Sequence, residues 1–121
     1  MKKYLIITFF LLVTNAVFSQ QYEVYKTEFY HSNGNLISST IRNANEYYIN
    51  IIDEDEVSIT TNGTDIIYYR LGLAIESSEG KSFYMENPNH KWFIIVFTND
   101  YIKITPTKED NPVTIKHYFT H

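Results

Sequence analysis

Four consecutive carboxylates at residues 53–56, "DEDE", form the densest group in this sequence that could do chemistry. Such a run could hold a cation, because hard cations such as Ca²⁺ prefer oxygen ligands. The calcium-loop pattern fits only at Asp53 and Asp55, since Val57 and Ser58 stand where it has a third ligand and a glycine. Asp also favours chain reversals, because its side chain can bond the nearby backbone. The run lies between two apolar stretches, and we predict a turn there rather than a metal site.

The histidines, at positions 31, 90, 117 and 121, offer no local metal site. His117 and His121 would share one face of a strand, but four residues separate them by about 13 Å. The chain has no cysteine, no His-Glu-x-x-His motif and no Gly-x-Ser-x-Gly motif. We therefore predict a non-enzymatic protein without catalytic residues, metal ligands or cofactors.

Aromatic residues are abundant, with eleven Tyr, eight Phe and one Trp. Tyrosine fills β-protein cores with its hydroxyl at the rim, so most of these rings have a structural explanation. Some could instead line a cavity for an apolar or sugar-like ligand. If a cavity forms, its predicted lining is Tyr47, Ile49, Ile51, Val57, Ile59, Tyr68, Phe93, Ile95, Phe97 and Ile104.

The first nineteen residues have the three-part layout of a secretory signal peptide. Lys2 and Lys3 precede an apolar run over residues 4–13, and small or aliphatic residues then lead to Ser19. A membrane-spanning helix needs roughly 20 apolar residues, so an uncleaved anchor is the less favoured alternative. We expect cleavage after Ser19, as in Gram-negative export, and a single domain over residues 20–121 that is secreted or periplasmic. No membrane span is expected after cleavage.

The charge balance argues against nucleic acid as a partner. The formal net charge is −4, and loss of residues 1–19 would remove two lysines and no acid. Nucleic-acid binding depends on clustered Lys and Arg, and the chain has no such cluster. Without cysteine there is also no disulfide, so the hydrophobic core alone must hold the fold.

The pattern beyond residue 20 is typical of β-structure. Short runs rich in Ile, Val, Thr, Tyr and Phe recur between turn residues, without a helical period. Strands are predicted near residues 22–31, 36–42, 46–53, 56–61, 64–71, 73–77, 81–86, 91–98, 101–105 and 113–120. Short connections favour an all-β, antiparallel up-and-down meander of about nine or ten strands. Exposed strand edges can pair with other chains, and closing the sheet removes them. We therefore expect a small closed or half-open barrel, with a β-sandwich as the alternative.

Three dipeptides predict hairpin registers, because Asn-Gly and similar pairs suit two-residue turns. Asn62-Gly63 also places Asp55 opposite Arg70, where an ion pair is expected. The predicted partners are Thr61–Thr64, Ile59–Ile66 and Val57–Tyr68 around Asn62-Gly63, His31–Leu36 and Tyr30–Ile37 around Asn33-Gly34, and Phe97–Ile102 and Ile95–Ile104 around Asn99-Asp100.

With its leader and strand pattern, the chain from Tyr22 to His121 resembles short exported bacterial proteins with lipocalin-like or calycin-like barrels. The Gly-x-Trp motif of lipocalins is missing, since the expected mature N-terminus reads "QQYEVYKTEF" and the one Trp is Trp92. No site residue is therefore carried over from that family. We expect an interaction or structural domain with an unknown protein partner, or alternatively a binding module for a small hydrophobic or amphipathic ligand.

Overall fold

The computed structural model describes residues 20–43, 46–53 and 55–120, so the expected signal peptide lies outside the described residues. These residues form antiparallel strands without a helix, which confirms the all-β prediction. The strands are β1 (Gln20–Tyr30), β2 (Leu36–Ile41), β3 (Tyr47–Asp53), β4 (Glu56–Thr61), β5 (Thr64–Arg70), β6 (Lys81–Glu86), β7 (Trp92–Phe97), β8 (Tyr101–Pro106) and β9 (Thr114–Phe119).

Strand β1 closes the sheet into a barrel, because it pairs with both β3 and β9. The closed wall consists of β1 and β3–β9, and β2 is an additional strand that pairs with β1. Strand β1 is eleven residues long, so its two halves can serve different neighbours. Residues Gln20–Glu23 pair with β3, whereas Lys26–Tyr30 pair with β2. The barrel prediction is therefore confirmed, and the sandwich alternative is wrong.

Two of the three predicted hairpins have the expected register. Asn62 and Gly63 both have positive φ, at 48° and 83°, as a type I′ turn requires. The predicted strand pairs around Asn62-Gly63 and Asn99-Asp100 are all present.

The hairpin at Asn33-Gly34 has the predicted register from Phe29–Ser38 onward, but a bulge between Phe29 and Tyr30 shifts its end by one residue. Tyr30 pairs with Leu36, not with Ile37, and the N–H of His31 donates to the Asn35 carbonyl, so His31 does not face Leu36 and the connection is longer than two residues. The N–H of Gly34 donates to the His31 carbonyl at 2.9 Å, and Gly34 alone adopts positive φ, at 90°. A tight turn followed by one left-handed glycine fits the twist of the strands as well as a type I′ turn does.

The predicted strand at 73–77 is wrong, because only Ile75 makes a bridge, with Ser82. Gly72, at φ 154°, bends the chain away just after β5 ends. Strands β5 and β6 consequently share only two residue pairs, Tyr69–Glu86 and Arg70–Met85. We call this short junction the β5–β6 seam.

The middle of the barrel is filled by side chains. Ile49 and Ile95 are completely buried, and burial of each such side chain stabilises the fold by roughly 1.5–3 kcal/mol. The buried cluster comprises Val24, Ile49, Val57, Ile59, Tyr68, Met85, Ile95, Ile102, Ile104 and Phe119.

Candidate functional site

The structure brings all ten predicted lining residues into the barrel interior, but most of them fill it. Ile49, Val57, Ile59, Tyr68, Ile95 and Ile104 belong to the buried cluster, and Tyr47, Ile51, Phe93 and Phe97 pack against it. Three of the ten, Ile51, Val57 and Phe97, also reach a cavity. The barrel is thus closed in its middle and open toward one end.

The cavity has a volume of about 480 Å³ and lies at the end of the barrel where β3 ends and β4 begins. We call it the open-end cavity. It is lined by Ile51, Asp53, Glu56, Val57, Arg70, Ala74, Lys81, Phe83, Met85 and Phe97.

The β5–β6 seam explains why the cavity forms at this place. Arg70 and Ala74 line it from one side of the seam, and residues of β6 line it from the other. Beyond Arg70 the wall continues as an irregular segment, held to β6 by backbone bonds from Leu71 to Tyr84 (2.9 Å) and from Ile75 to Ser82 (2.7 Å). A regular strand would have placed side chains inside the barrel here, whereas this segment contributes the small Ala74 to the lining.

The wall of the cavity is apolar. Val57 and Met85, each only 2% exposed, are its most buried lining residues. The rings of Phe83 and Phe97 meet edge to face, with centroids 5.8 Å apart, which is a favoured aromatic arrangement. An apolar group entering the cavity would therefore contact aromatic and aliphatic side chains.

The rim carries both signs of charge, from Asp53, Glu56, Arg70 and Lys81. The Arg70 guanidinium lies 4.5 Å from the centre of the Phe83 ring. Its Nε donates to the carbonyl oxygen of Gly72. These two contacts hold a positive charge at the mouth of the cavity.

The expected ion pair between Asp55 and Arg70 is wrong, although the register that suggested it is right. The backbone N–H of Arg70 donates to the Asp55 carbonyl at 2.8 Å, so the residues do lie opposite each other. The ion pairs among the described residues nevertheless join other side chains. An exposed ion pair contributes little free energy, and the guanidinium instead stacks on Phe83.

The acidic run forms a turn, as predicted. The Asp53 carboxylate accepts a bond from the backbone N–H of Asp55 at 2.7 Å, and Asp53 pairs with Glu56 across the reversal. Glu54 lies outside the described residues. Within the described part of the chain, no three His, Asp or Glu side chains are grouped so that they could hold a metal ion.

A smaller depression of about 140 Å³ adjoins the open-end cavity and shares Ile51 and Phe97 with it. Its other side includes Tyr22 and Phe119, whose ring centroids are 4.9 Å apart. The apolar surface of the open end therefore continues from the β5–β6 seam toward β1 and β9.

Apart from the charged rim of the cavity, a set of polar side chains lies inside the barrel. It is near the point where β1 stops pairing with β3 and begins to pair with β2. Buried Thr27 Oγ1 is 3.1 Å from His117 Nδ1, and Arg42 Nε donates to the same oxygen at 3.1 Å. Arg42 also donates to the Tyr47 hydroxyl at 3.2 Å, with its guanidinium 4.1 Å from the centre of that ring. Burial, and then the charge of Arg42, lowers the pKa of His117 to about 4, so the imidazole is neutral at pH 7. We call these four residues the inner polar cluster.

The sequence prediction missed several cavity residues. Phe83 and Met85 had a signal, since they alternate along β6 as inward-facing residues do. No sequence signal identified Ala74, Lys81 or the orientation of Arg70 as part of the cavity. Their positions depend on where β5 and β6 stop pairing.

Comparisons of this chain with protein-family models, with curated proteins and with solved structures find no significant match. Within residues 20–43, 46–53 and 55–120, no helix has the length and apolar character needed to cross a membrane. The function is therefore argued from the geometry of the site.

Proposed function

We propose that this protein is an exported, non-enzymatic barrel that binds a small amphipathic ligand in its open-end cavity. The observation that carries this proposal is the cavity of about 480 Å³ with an apolar wall and a charged rim. Small-molecule sites typically occupy about 300–1,000 Å³ and combine an apolar lining with a few polar groups.

The rim suggests the chemistry of the ligand. Its apolar part would lie against Phe83, Phe97 and Met85, and its head group would reach the rim. A guanidinium recognises carboxylate, sulfonate and phosphate oxygens well, because it presents several donors in one plane. Asp53 and Glu56 would favour a hydrogen-bond donor on the same ligand. We therefore infer a ligand that joins an apolar body to an anionic group.

Export and the likeness to lipocalin-like carriers belong to the same proposal. The expected signal peptide supports export to the periplasm or beyond. The closed barrel of eight strands supports the likeness through its architecture, since barrels of this size can hold one small ligand.

Binding of 8-anilinonaphthalene-1-sulfonate, an aromatic anion that fluoresces in apolar surroundings, tests the proposal. The folded wild-type protein should bind this probe saturably, and Ala74→Trp should reduce the affinity by about tenfold by filling the cavity. Leu73→Trp is the matched control, because Leu73 is the neighbouring residue, is 87% exposed and does not line the cavity.

Circular dichroism would show that each variant keeps its β-structure, since partly unfolded chains also bind such dyes. Lack of saturable binding by the folded wild-type protein would overturn the proposal. Equal weakening by both substitutions would do the same, because the site would then not be this cavity.

A further inference from the structure

Among the residues that the structure describes, strand β2 forms a free edge on an otherwise closed barrel. It stands at the end of the strand order, and its described pairing is with β1 alone. All six of its residues are exposed. A free edge presents unpaired backbone N–H and C=O groups that can add another extended strand.

The edge lacks most of the features by which proteins prevent such pairing. Charged side chains and proline are common protections, and residues 31–41 contain neither Lys, Arg, Asp, Glu nor Pro. Leu36, Ile37 and Ile41 are 53%, 43% and 73% exposed. A register shift near Leu36 disturbs that end of the strand, so the more regular edge runs from Ser38 to Ile41.

We propose that the β2 edge binds the β2 edge of a second copy of this chain, forming an antiparallel dimer about a twofold axis. The residue types of β2 are nearly symmetric about its middle. Leu36 and Ile37 stand at one end, Ile41 stands at the other, and hydroxyl residues lie between. Antiparallel self-pairing centred on Ser39 sets Ile37 beside Ile41 and Ser38 beside Thr40 of the other copy, with the two Ser39 side chains at the axis. Such an interface is self-complementary, as twofold symmetry requires.

The lack of charge favours a second copy over a foreign peptide. Across a twofold axis, a charged residue near the centre of the strand would meet its own like charge, which destabilises cross-strand pairs. A strand that selects a foreign partner would instead gain specificity from charge complementarity. β2 carries no charge at all, although the whole chain has a net charge of −4.

The dimer would leave the open-end cavity accessible. β2 pairs with Lys26–Tyr30 of β1, whereas the open end lies beside the other half of that strand, at Tyr22. Self-association and ligand binding are therefore separate properties that separate variants can remove.

Sedimentation velocity on the full chain over a range of concentrations tests the proposal. The wild-type protein should form a dimer, and Ser39→Lys should raise its dissociation constant by about tenfold or more, because it brings two positive charges together at the axis. Ser78→Lys is the matched control, since Ser78 is also exposed but lies in the segment between β5 and β6. Circular dichroism should show both variants folded.

Hydrogen exchange of the β2 amides provides a second measurement. Their exchange should slow as the wild-type concentration rises, but not in Ser39→Lys. A wild-type protein that stays monomeric at millimolar concentration would overturn the proposal. So would a dimer that Ser39→Lys leaves intact, or protection of β2 only by an added foreign peptide.

Discussion

Arg42 and Arg70 occupy comparable places in the barrel but do different things there. Each lies where strand pairing stops, Arg42 where β1 leaves β3 for β2 and Arg70 at the β5–β6 seam. Each guanidinium also lies over an aromatic ring, at 4.1 Å from the centre of Tyr47 and 4.5 Å from that of Phe83. The two arginines thus mark two gaps in one wall.

The partners of the two arginines differ. Arg42 donates to the side chains of Thr27 and Tyr47, so its charge is used within the protein and the gap is filled. Arg70 donates to a backbone carbonyl, that of Gly72, and lines the cavity. The comparison indicates that Arg42 stabilises the fold where β1 changes neighbours, whereas the wall beside Arg70 leaves a cavity open.

The largest expected effect is on the free energy of unfolding. Two residues of β3 are compared, one in the filled middle of the barrel and one at its open end. Ile49→Ala should lower the free energy of unfolding by about 3–4 kcal/mol, because Ile49 is fully buried and its removal leaves a void. Ile51→Ala should cost about 1 kcal/mol, since Ile51 already borders the cavity. Urea denaturation would measure both. Equal losses would contradict the distinction between middle and end.

The next effect concerns pH and the inner polar cluster. The pKa of His117 is about 4 in the folded protein and near 6.5 when exposed, so the unfolded chain binds the proton more readily. The stability that this histidine contributes is complete above pH 6.5 and declines as the pH falls toward 4, by about 3 kcal/mol in all.

Urea denaturation between pH 7 and pH 4, for the wild-type protein and His117→Gln, would measure this contribution. The difference between the two curves isolates His117, because Glu28 and Glu79, whose pKa values are lowered by hydrogen bonds from Tyr and Lys, titrate in both proteins. Parallel curves would contradict the buried, neutral imidazole.

A direct test of the comparison replaces each arginine in turn. Arg42→Ala should destabilise the fold by about 2 kcal/mol, because it removes two charge-assisted bonds inside the wall. Arg70→Ala should cost less than about 1 kcal/mol, since that side chain lies at the rim. Denaturation of the two variants side by side would decide, and a greater loss from Arg70→Ala would reverse the roles assigned to them.

Local signals in the sequence were sufficient for most of the fold. Asn62-Gly63 fixed its hairpin because both residues adopt the positive φ that the turn requires. The same dipeptide at Asn33-Gly34 predicted the register of most of its hairpin but not the pairs next to the turn, because a second turn geometry satisfies the same residues and adds a bulge at Tyr30. An apolar stretch after Gly72 looked like a strand, yet the bend at that glycine leaves one bridge.

The candidate site was less predictable, because it depends on contacts between distant parts of the chain. The alternation of apolar residues along the strands identified Ile51, Val57 and Phe97 as facing the interior. The same pattern also identified residues that fill the core, so it could not separate the two groups. Which of them reach the cavity depends on how many pairs β5 and β6 form. The role of Arg42 likewise depends on Thr27 and His117, which lie far from it and from each other along the chain.

The smallest expected effect concerns the ligand itself. If Arg70 holds an anionic head group, Arg70→Gln should weaken binding of 8-anilinonaphthalene-1-sulfonate by about tenfold, which corresponds to about 1.4 kcal/mol. The uncharged probe 1-aminoanthracene should bind the variant and the wild-type protein alike, because it uses only the apolar wall. Lys91→Gln, which removes an exposed positive charge outside the open-end cavity, is the control and should not weaken binding of the anion. Equal loss for both probes would show that Arg70 shapes the cavity through its contact with Phe83, and that its charge does not select the ligand.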